Sequence, residues 1–381
     1  MTGTAPRPDP TPTPVPGPTP VPVPGSGPDL DCDFDFEHRL GALRPRLPSP
    51  LQELDDDRFA RRGLRLLVKR DDLIHPDIPG NKWRKLVPNL RAAAAAGHRT
   101  LLTFGGAYSN HLRATAAAGR LLGFATIGVI RGEELADRPL NPSLARCAAD
   151  GMRLHFVSRG TYRRRAEPEV LEALRARFGD CRPVPEGGSN AAAVHGCAEL
   201  GRELRGRTDV AVVACGTGGT LAGLAAGLAP GSAAGPAPDG AQVIGIPVLR
   251  GGFLDAEAER LQREAFGGRR GDWRLADRFH FGGYARRTPA LDAFAADFTA
   301  RHGLPVEGVY VAKMLWGVVT LAEEGAFPPG TTVTAVITGT PLAEAPAEVT
   351  AAERAAAAET SGEGSPGPAA GAAGQSTASS R

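Results

Sequence analysis

Asp209-Val210-Ala211-Val212-Val213-Ala214-Cys215-Gly216-Thr217-Gly218-Gly219-Thr220 runs from an apolar β-strand into a glycine-rich turn, and the small-residue helical stretch Leu221–Leu228 follows. Glycines let the backbone turn tightly and approach a ligand, while the free N–H groups and dipole of a helix start attract an anion. Thr217 and Thr220 add hydroxyl donors. No Gly-Lys-Ser/Thr follows and the spacing is not GxGxxG, so neither common nucleotide loop is present. The residues alone leave two readings: a phosphate cup, or a turn kept small for tight packing.

Working outward, the same strand-then-helix pattern recurs. Short β-branched runs stand at Leu64–Val68, Thr100–Phe104, Ala125–Ile130, Arg153–Val157, Val210–Ala214, Val243–Ile246 and Val333–Ile337. Helical patterns lie between them at Lys85–Ala96, His111–Leu122, Pro142–Ala149, Asn190–Leu204, Leu221–Leu228 and Leu291–Arg301. Such alternation predicts an α/β protein with doubly wound parallel sheets, whose ligands sit beyond the carboxyl ends of the strands. Two more loops invite the same reading. Gly105-Gly106-Ala107-Tyr108-Ser109-Asn110-His111 follows a strand, and Ser109 or Asn110 is either a plain helix N-cap or part of a polar nest for a carboxylate and a phenolic oxygen. Gly80-Asn81-Lys82-Trp83-Arg84-Lys85-Leu86 holds a lysine flanked by cations. A single lysine is usually solvated, but one desolvated beside other cations has a lowered pKa and forms Schiff bases. Lys85 stands one helical turn from Lys82, where it can meet a phosphate.

The chain has 381 residues with 44 basic and 42 acidic side chains, a formal net charge of +2. That balance is no electrostatic footprint for nucleic acid or an acidic membrane. Gly, Pro or charge interrupts every apolar stretch before it reaches membrane-spanning length, and no secretory signal opens the chain. Five cysteines without CxxC spacing fit a reduced, cytoplasmic protein and no metal cluster. Proline is every second residue from Pro6 to Pro24, and the stretch after about Ala345 is Ala-, Gly- and Ser-rich. Both ends are expected to be disordered, residues 1–29 as a leader and 345–381 as a tail, and to be dispensable for folding.

Taken in order, Val68-Lys69-Arg70-Asp71-Asp72, Gly80–Leu86, Ser109-Asn110-His111, Pro185-Glu186-Gly187-Gly188-Ser189-Asn190 and Cys215–Thr220 resemble one family. It is the D-cysteine desulfhydrase / 1-aminocyclopropane-1-carboxylate deaminase family of fold-type II pyridoxal-phosphate enzymes, and the resemblance runs over about residues 35 to 344. It implies a tryptophan synthase β-like fold of two three-layer, parallel-sheet domains. Residues 30–85 plus 185–344 would form the large cofactor-binding domain, and 86–184 a small inserted one. It implies pyridoxal 5'-phosphate as cofactor, Lys82 as the Schiff-base lysine and general base, and a phosphate held by Gly216, Thr217, Gly218, Gly219 and Thr220 with Lys85 assisting. Asn110 would bond the cofactor's ring oxygen and Ser109 the substrate carboxylate, with His111 beside them. Tyr310 and Tyr284 match active-site tyrosines, and Thr338 the position facing the pyridine nitrogen. A homodimer acting on a small amino acid, with no nucleic-acid or membrane partner, is implied as well.

Within that family, ring-opening deaminases carry Gln after Ser-Asn, an acidic residue after the later tyrosine, and Leu near the terminal glycines. This chain has His111, Val311 and Thr338 at those places. The resemblance therefore implies β-elimination on D-cysteine or a related β-substituted D-amino acid, giving keto acid, ammonia and sulfide. Two departures bear on the substrate: Ile337-Thr338-Gly339-Thr340 lacks the family's flanking His and second Gly, and Tyr108 stands where Gln is common. The alternatives are the deaminase reaction and, from another class, a non-catalytic protein that keeps only the phosphate cup.

Overall fold

In the computed structural model, residues 34–78, 80–230 and 240–339 are described, and every element below lies in the unit that begins at Phe36. Residues 1–33 and 340–381, with the expected leader and tail, lie outside the described residues.

The helices are α1 (Phe36–Ala42), α2 (Asp57–Ala60), α3 (Lys82–Ala95), α4 (Asn110–Leu122), α5 (Pro142–Ala149), α6 (Arg159–Arg163), α7 (Pro168–Phe178), α8 (Ala191–Leu204), α9 (Gly219–Leu228), α10 (Leu254–Phe266), α11 (Pro289–His302) and α12 (Val311–Glu323). The strands are β1 (Leu51–Leu54), β2 (Arg65–Lys69), β3 (Thr100–Gly105), β4 (Ala125–Arg131), β5 (Met152–Val157), β6 (Arg182–Val184), β7 (Val210–Cys215), β8 (Gln242–Pro247), β9 (Trp273–Leu275) and β10 (Thr332–Val336). They form two sheets, ordered β1-β2-β10-β7-β8-β9 and β5-β4-β3-β6. Every pairing is parallel except β1 with β2, an edge strand that departs from the all-parallel expectation.

Period-two alternation explains why the central strands read as unbroken apolar runs. Along β7, Val210, Val212 and Ala214 face a core shared with Val311, Met314, Leu315 and Val318 of α12. Ala211, Val213 and Cys215 face the other way, onto Leu200 and Leu204 of α8 and Leu221 and Leu224 of α9. The second sheet is likewise covered twice. Leu102, Phe104, Ile127 and Val129 meet Tyr162 and Leu174 on one face, while Ile130 and Met152 meet Leu112, Ala116 and Leu144 on the other. Burying a side chain of this size contributes about 1.5–3 kcal/mol.

Three further features differ from the sequence expectation. The helix expected to start at Lys85 starts at Lys82, because Trp83 and Leu86 are buried and draw the first turn against the core. Pro88 stands inside that helix and lacks the N–H that would bond the Arg84 carbonyl. Strands β6 and β9 have three residues each, too short to leave a periodic signal. Helices α7, α10 and α12, also beyond the sequence reading, complete the layers.

A buried ion network anchors α3. The Arg84 guanidinium donates to Asp71 (2.8 and 2.9 Å) and to Glu203 (2.9 and 3.0 Å). Lys69 Nζ reaches Glu203 at 2.6 Å and the Ser49 carbonyl at 2.6 Å. Breaking one partner of such a cluster leaves an uncompensated buried charge, so it acts as a positioning device for the start of α3. No described helix is long and apolar enough to cross a membrane.

Candidate active site

Gly80 makes the turn into α3 possible. Its φ is +58°, and a Cβ there would stand 1.7 Å from the Thr338 carbonyl oxygen. Asn81 N–H donates to that same oxygen at 3.1 Å, so the lysine turn lies directly on the chain leaving β10. Lys82 opens the helix, its Nζ donating to Asn81 Oδ1 at 3.1 Å, while Asn81 Nδ2 donates to Thr220 Oγ1 at 2.7 Å. Burial, and then the charge of Lys85, lower the Lys82 pKa to about 7. The lowered pKa favours the neutral amine, the form that can act as nucleophile or base.

Lys85 lies one turn along on the same face. Its ammonium donates to Ser189 Oγ (2.9 Å), the Gly187 carbonyl (3.2 Å) and Thr217 Oγ1 (3.4 Å). Burial lowers its pKa too. Ser189 and Thr217 hydroxyls meet at 2.5 Å. The Gly216–Thr220 turn passes under this cluster, with Gly218 left-handed at φ 72° and α9 starting at Gly219. A Cβ on Gly219 would lie 2.8 Å from Ser189 Oγ and 3.3 Å from Lys85 Nζ, so the turn must be glycine for those donors to gather. Ammonium, hydroxyls and the start of a buried ten-residue helix converge on one point, a donor set suited to a phosphate dianion.

At the head of α4, Ser109 Oγ accepts from Leu112 N–H at 3.3 Å, which is the capping role, and Asn110 Oδ1 accepts from the Arg113 guanidinium. His111 is buried. Its Nε2 meets Thr103 Oγ1 at 2.8 Å, and Thr103 spends its own proton on the Val184 carbonyl at 2.8 Å. The imidazole proton must then sit on Nε2, which leaves Nδ1 a bare acceptor. Among the described residues no donor reaches Nδ1, and a Cβ on Gly188 would stand 3.3 Å from it. Burial, with Lys82 and Lys85 adding to it, holds the ring well below the usual imidazole range and so neutral.

Tyr310 lies over the glycine turn: a Cβ on Gly216 would stand 3.1 Å from its Cε1 and 3.5 Å from its hydroxyl. Its ring meets that of Tyr284 edge-on, centroids 6.0 Å apart, and the two side chains hydrogen-bond. Burial pushes the Tyr310 phenol well above its ordinary pKa, so its proton stays on. Glu307 accepts from the N–H groups of Val309 (2.7 Å), Tyr310 (2.7 Å) and Val311 (3.1 Å), capping α12.

The structure thus brings Lys82, Lys85, Gly216–Thr220, Tyr310, Tyr284 and the Thr338 backbone into one place, with His111 reaching it through Gly188. Ser109 and Asn110 start the same helix as His111, yet their side chains bond within α4. The sequence alone assigns no role to Asn81, Ser189, Arg113 or Glu307. Ser189 stands in the Pro185–Asn190 motif, but its partner lies 104 residues away. Arg113 has a buried Nε without a partner among the described residues.

Comparison with known proteins gives the family and the fold. Residues 44–339 match the family described as "Pyridoxal-phosphate dependent enzyme". A putative 1-aminocyclopropane-1-carboxylate deaminase of Pyrococcus horikoshii is 29% identical over 272 residues, 69% of this chain and 81% of the relative. The D-cysteine desulfhydrase of Klebsiella pneumoniae is 28% identical over 300 residues, 71% of this chain and 85% of the relative. A solved ACC deaminase homologue superposes with a TM-score of 0.64 at 27% identity, covering 80% of this chain and 94% of that one.

Proposed function

Because the chain belongs to the pyridoxal-phosphate dependent enzymes of fold-type II, we propose that it is a lyase eliminating the β-substituent of D-cysteine or a related D-amino acid. The cofactor, when bound, supplies an electron sink that makes an amino acid's Cα proton acidic. The donor set at the glycine turn fits its phosphate: Lys85, Thr217 and Ser189 hold the oxyanions, and the α9 start receives them. Lys82 anchors the cofactor, and its depressed pKa equips Nζ to take the Cα proton. His111 Nδ1 stands ready to accept from a ligand donor, and the substrate carboxylate is assigned to the head of α4, where Ser109, Asn110 and Arg113 offer donors. Tyr310 keeps its phenolic proton and can donate to a departing sulfur.

The observation that carries elimination over ring opening is the state of Glu307. Ring opening calls for a further acid or base at an unactivated carbon, beyond Lys82 and Tyr310. Val311 offers none, and the carboxylate beside Tyr310 is spent on three backbone amides. Thiol loss needs only Cα deprotonation and a good leaving group. In this reading the four strands of the second sheet, all within residues 100–184, belong to the inserted domain of residues 86–184. The four described cysteines are free and buried, in keeping with a cytoplasmic enzyme. A homodimer completes the proposal and is checked by light scattering.

The decisive experiment is keto-acid release from a panel of D- and L-β-substituted amino acids and 1-aminocyclopropane-1-carboxylate. Sulfide and pyruvate from D-cysteine, with little 2-oxobutanoate, is the expected result. Robust ring opening with silence toward D-cysteine would overturn the substrate reading and leave the cofactor in place.

A further inference from the structure

Lys313 sits in the first turn of α12 with its side chain wholly buried. A cation there opposes the helix dipole and has shed its hydration, so something specific must hold it. Among the described residues no carboxylate bonds it. Its three N–H donors go to three backbone carbonyls instead: Gly283 at 2.7 Å, His280 at 2.9 Å and Val248 at 3.5 Å. Uncharged carbonyl oxygens replacing a hydration shell are the ligands of a monovalent cation. Burial lowers the pKa to about 8, with Glu307 resisting the fall, so the charge persists at neutral pH.

Those carbonyls join two separate segments. Val248 follows β8, whereas His280 precedes a strained turn and Gly283 lies within it. Phe281 and Ala285 both hold φ at 54°, on either side of Gly282 at 90° and Gly283 at 130°. Non-glycine residues persist in that region only when the surroundings over-determine them. Tyr284 lies inside this turn and packs on Tyr310, which itself stands one helical turn before Lys313.

We propose that the Lys313 ammonium fills a built-in monovalent-cation site, clamping the 281–285 turn so that Tyr284 stays on Tyr310, and that its removal opens the site to potassium or ammonium. Lys313 is thus a positioning residue. Only its consequence for turnover rests on the proposed function; the cation site itself stands apart from it.

The test uses the full-length, cofactor-loaded enzyme, comparing wild type, Lys313→Ala and Lys313→Gln. Melting temperature, cofactor absorbance, kcat and KM are read in tetramethylammonium, potassium and ammonium chlorides at equal ionic strength. Wild type should be indifferent to the cation. Lys313→Ala should lose about tenfold or more in kcat in tetramethylammonium. Potassium or ammonium should raise both its kcat and its melting temperature saturably. Lys313→Gln removes the charge but keeps two N–H donors on a side chain one bond shorter, and should fold, turn over slowly and ignore the salts. Wild-type turnover by Lys313→Gln, a potassium requirement in wild type, or failure of every cation to restore Lys313→Ala, folded or not, would each overturn the proposal. The melting response needs no substrate, so an error in the substrate assignment is told apart from an error here.

Discussion

The ammonium of Lys85 donates to the hydroxyl of Ser189 at 2.9 Å, joining two residues 104 positions apart in the chain. Through that contact the first turn of α3, the Glu186–Ser189 turn and the glycine loop before α9 become one cradle. Substitutions in its walls, or in the residues it places, have effects of definite sign.

Lys85→Met should weaken the hold on pyridoxal phosphate by about tenfold to a hundredfold, the worth of a charge-assisted hydrogen bond of about 1.5–3 kcal/mol. Ser189→Ala should cost less, because Thr217 still bonds Lys85 at 3.4 Å. Cofactor titration by absorbance checks both, and unchanged affinity in Lys85→Met would remove the phosphate assignment.

The Lys82 pKa of about 7 makes a signed prediction for the cofactor-free protein. A lysine lowered on folding penalises the folded state fully below the folded pKa, and the penalty fades as pH rises toward the unfolded value of about 10.4. Lys82→Met should therefore be more stable than wild type at pH 6, by on the order of 5 kcal/mol, with the gap mostly closed by pH 10. Urea melts across that range measure it, and a gap that grows with pH would contradict the burial of this amine. The same variant should be without turnover, and borohydride should fix the cofactor on Lys82 of the wild type.

Gly80→Ala is expected to be severely destabilising. The new Cβ would meet the Thr338 carbonyl at 1.7 Å in a left-handed backbone, with backbone on both sides unable to yield. A loss of about 3 kcal/mol or more should appear in denaturant unfolding. A variant that melts within a degree of wild type would show the turn is placed otherwise.

Ser109 has an observed role and a proposed one, and substitutions separate them. Ser109→Ala should cost about 1 kcal/mol as a lost N-cap and raise KM. Ser109→Asn keeps a capping oxygen and should recover the stability while leaving KM high. If Asn restores both, the serine serves only the helix, and the carboxylate grip belongs to another residue such as Arg113.

Much of this protein is legible in the amino-acid chain alone. The strand runs from Leu64 to Ile337 fall within a residue or two of the observed strands, because parallel strands buried on both faces leave long β-branched runs. Gly216–Thr220 reads as a candidate anion loop, beside the plain packing turn, for a local reason: glycine spacing and a following helix are adjacent in the chain. The short strands β6 and β9 and the edge strand β1 are not legible, since three or four residues carry no periodicity. The start of α3 escapes as well, because the burial of Trp83 sets it and the turn's own residues do not.

The alternating α/β order and the glycine-rich strand-to-helix loops are properties of neighbouring residues, and the chain specifies them unaided, whereas the role proposed for Lys82 comes from the ordered set of motifs and not from its own neighbours. Tertiary structure alone decides that Ser189 completes the Lys85 cluster, that Glu307 is committed to three amides, that His111 keeps its proton on Nε2, and that Lys313 is caged by carbonyls. Most of those are partnerships between segments distant in the chain. Burial strips away water and obliges each polar group to find its hydrogen-bond partner wherever the fold supplies one.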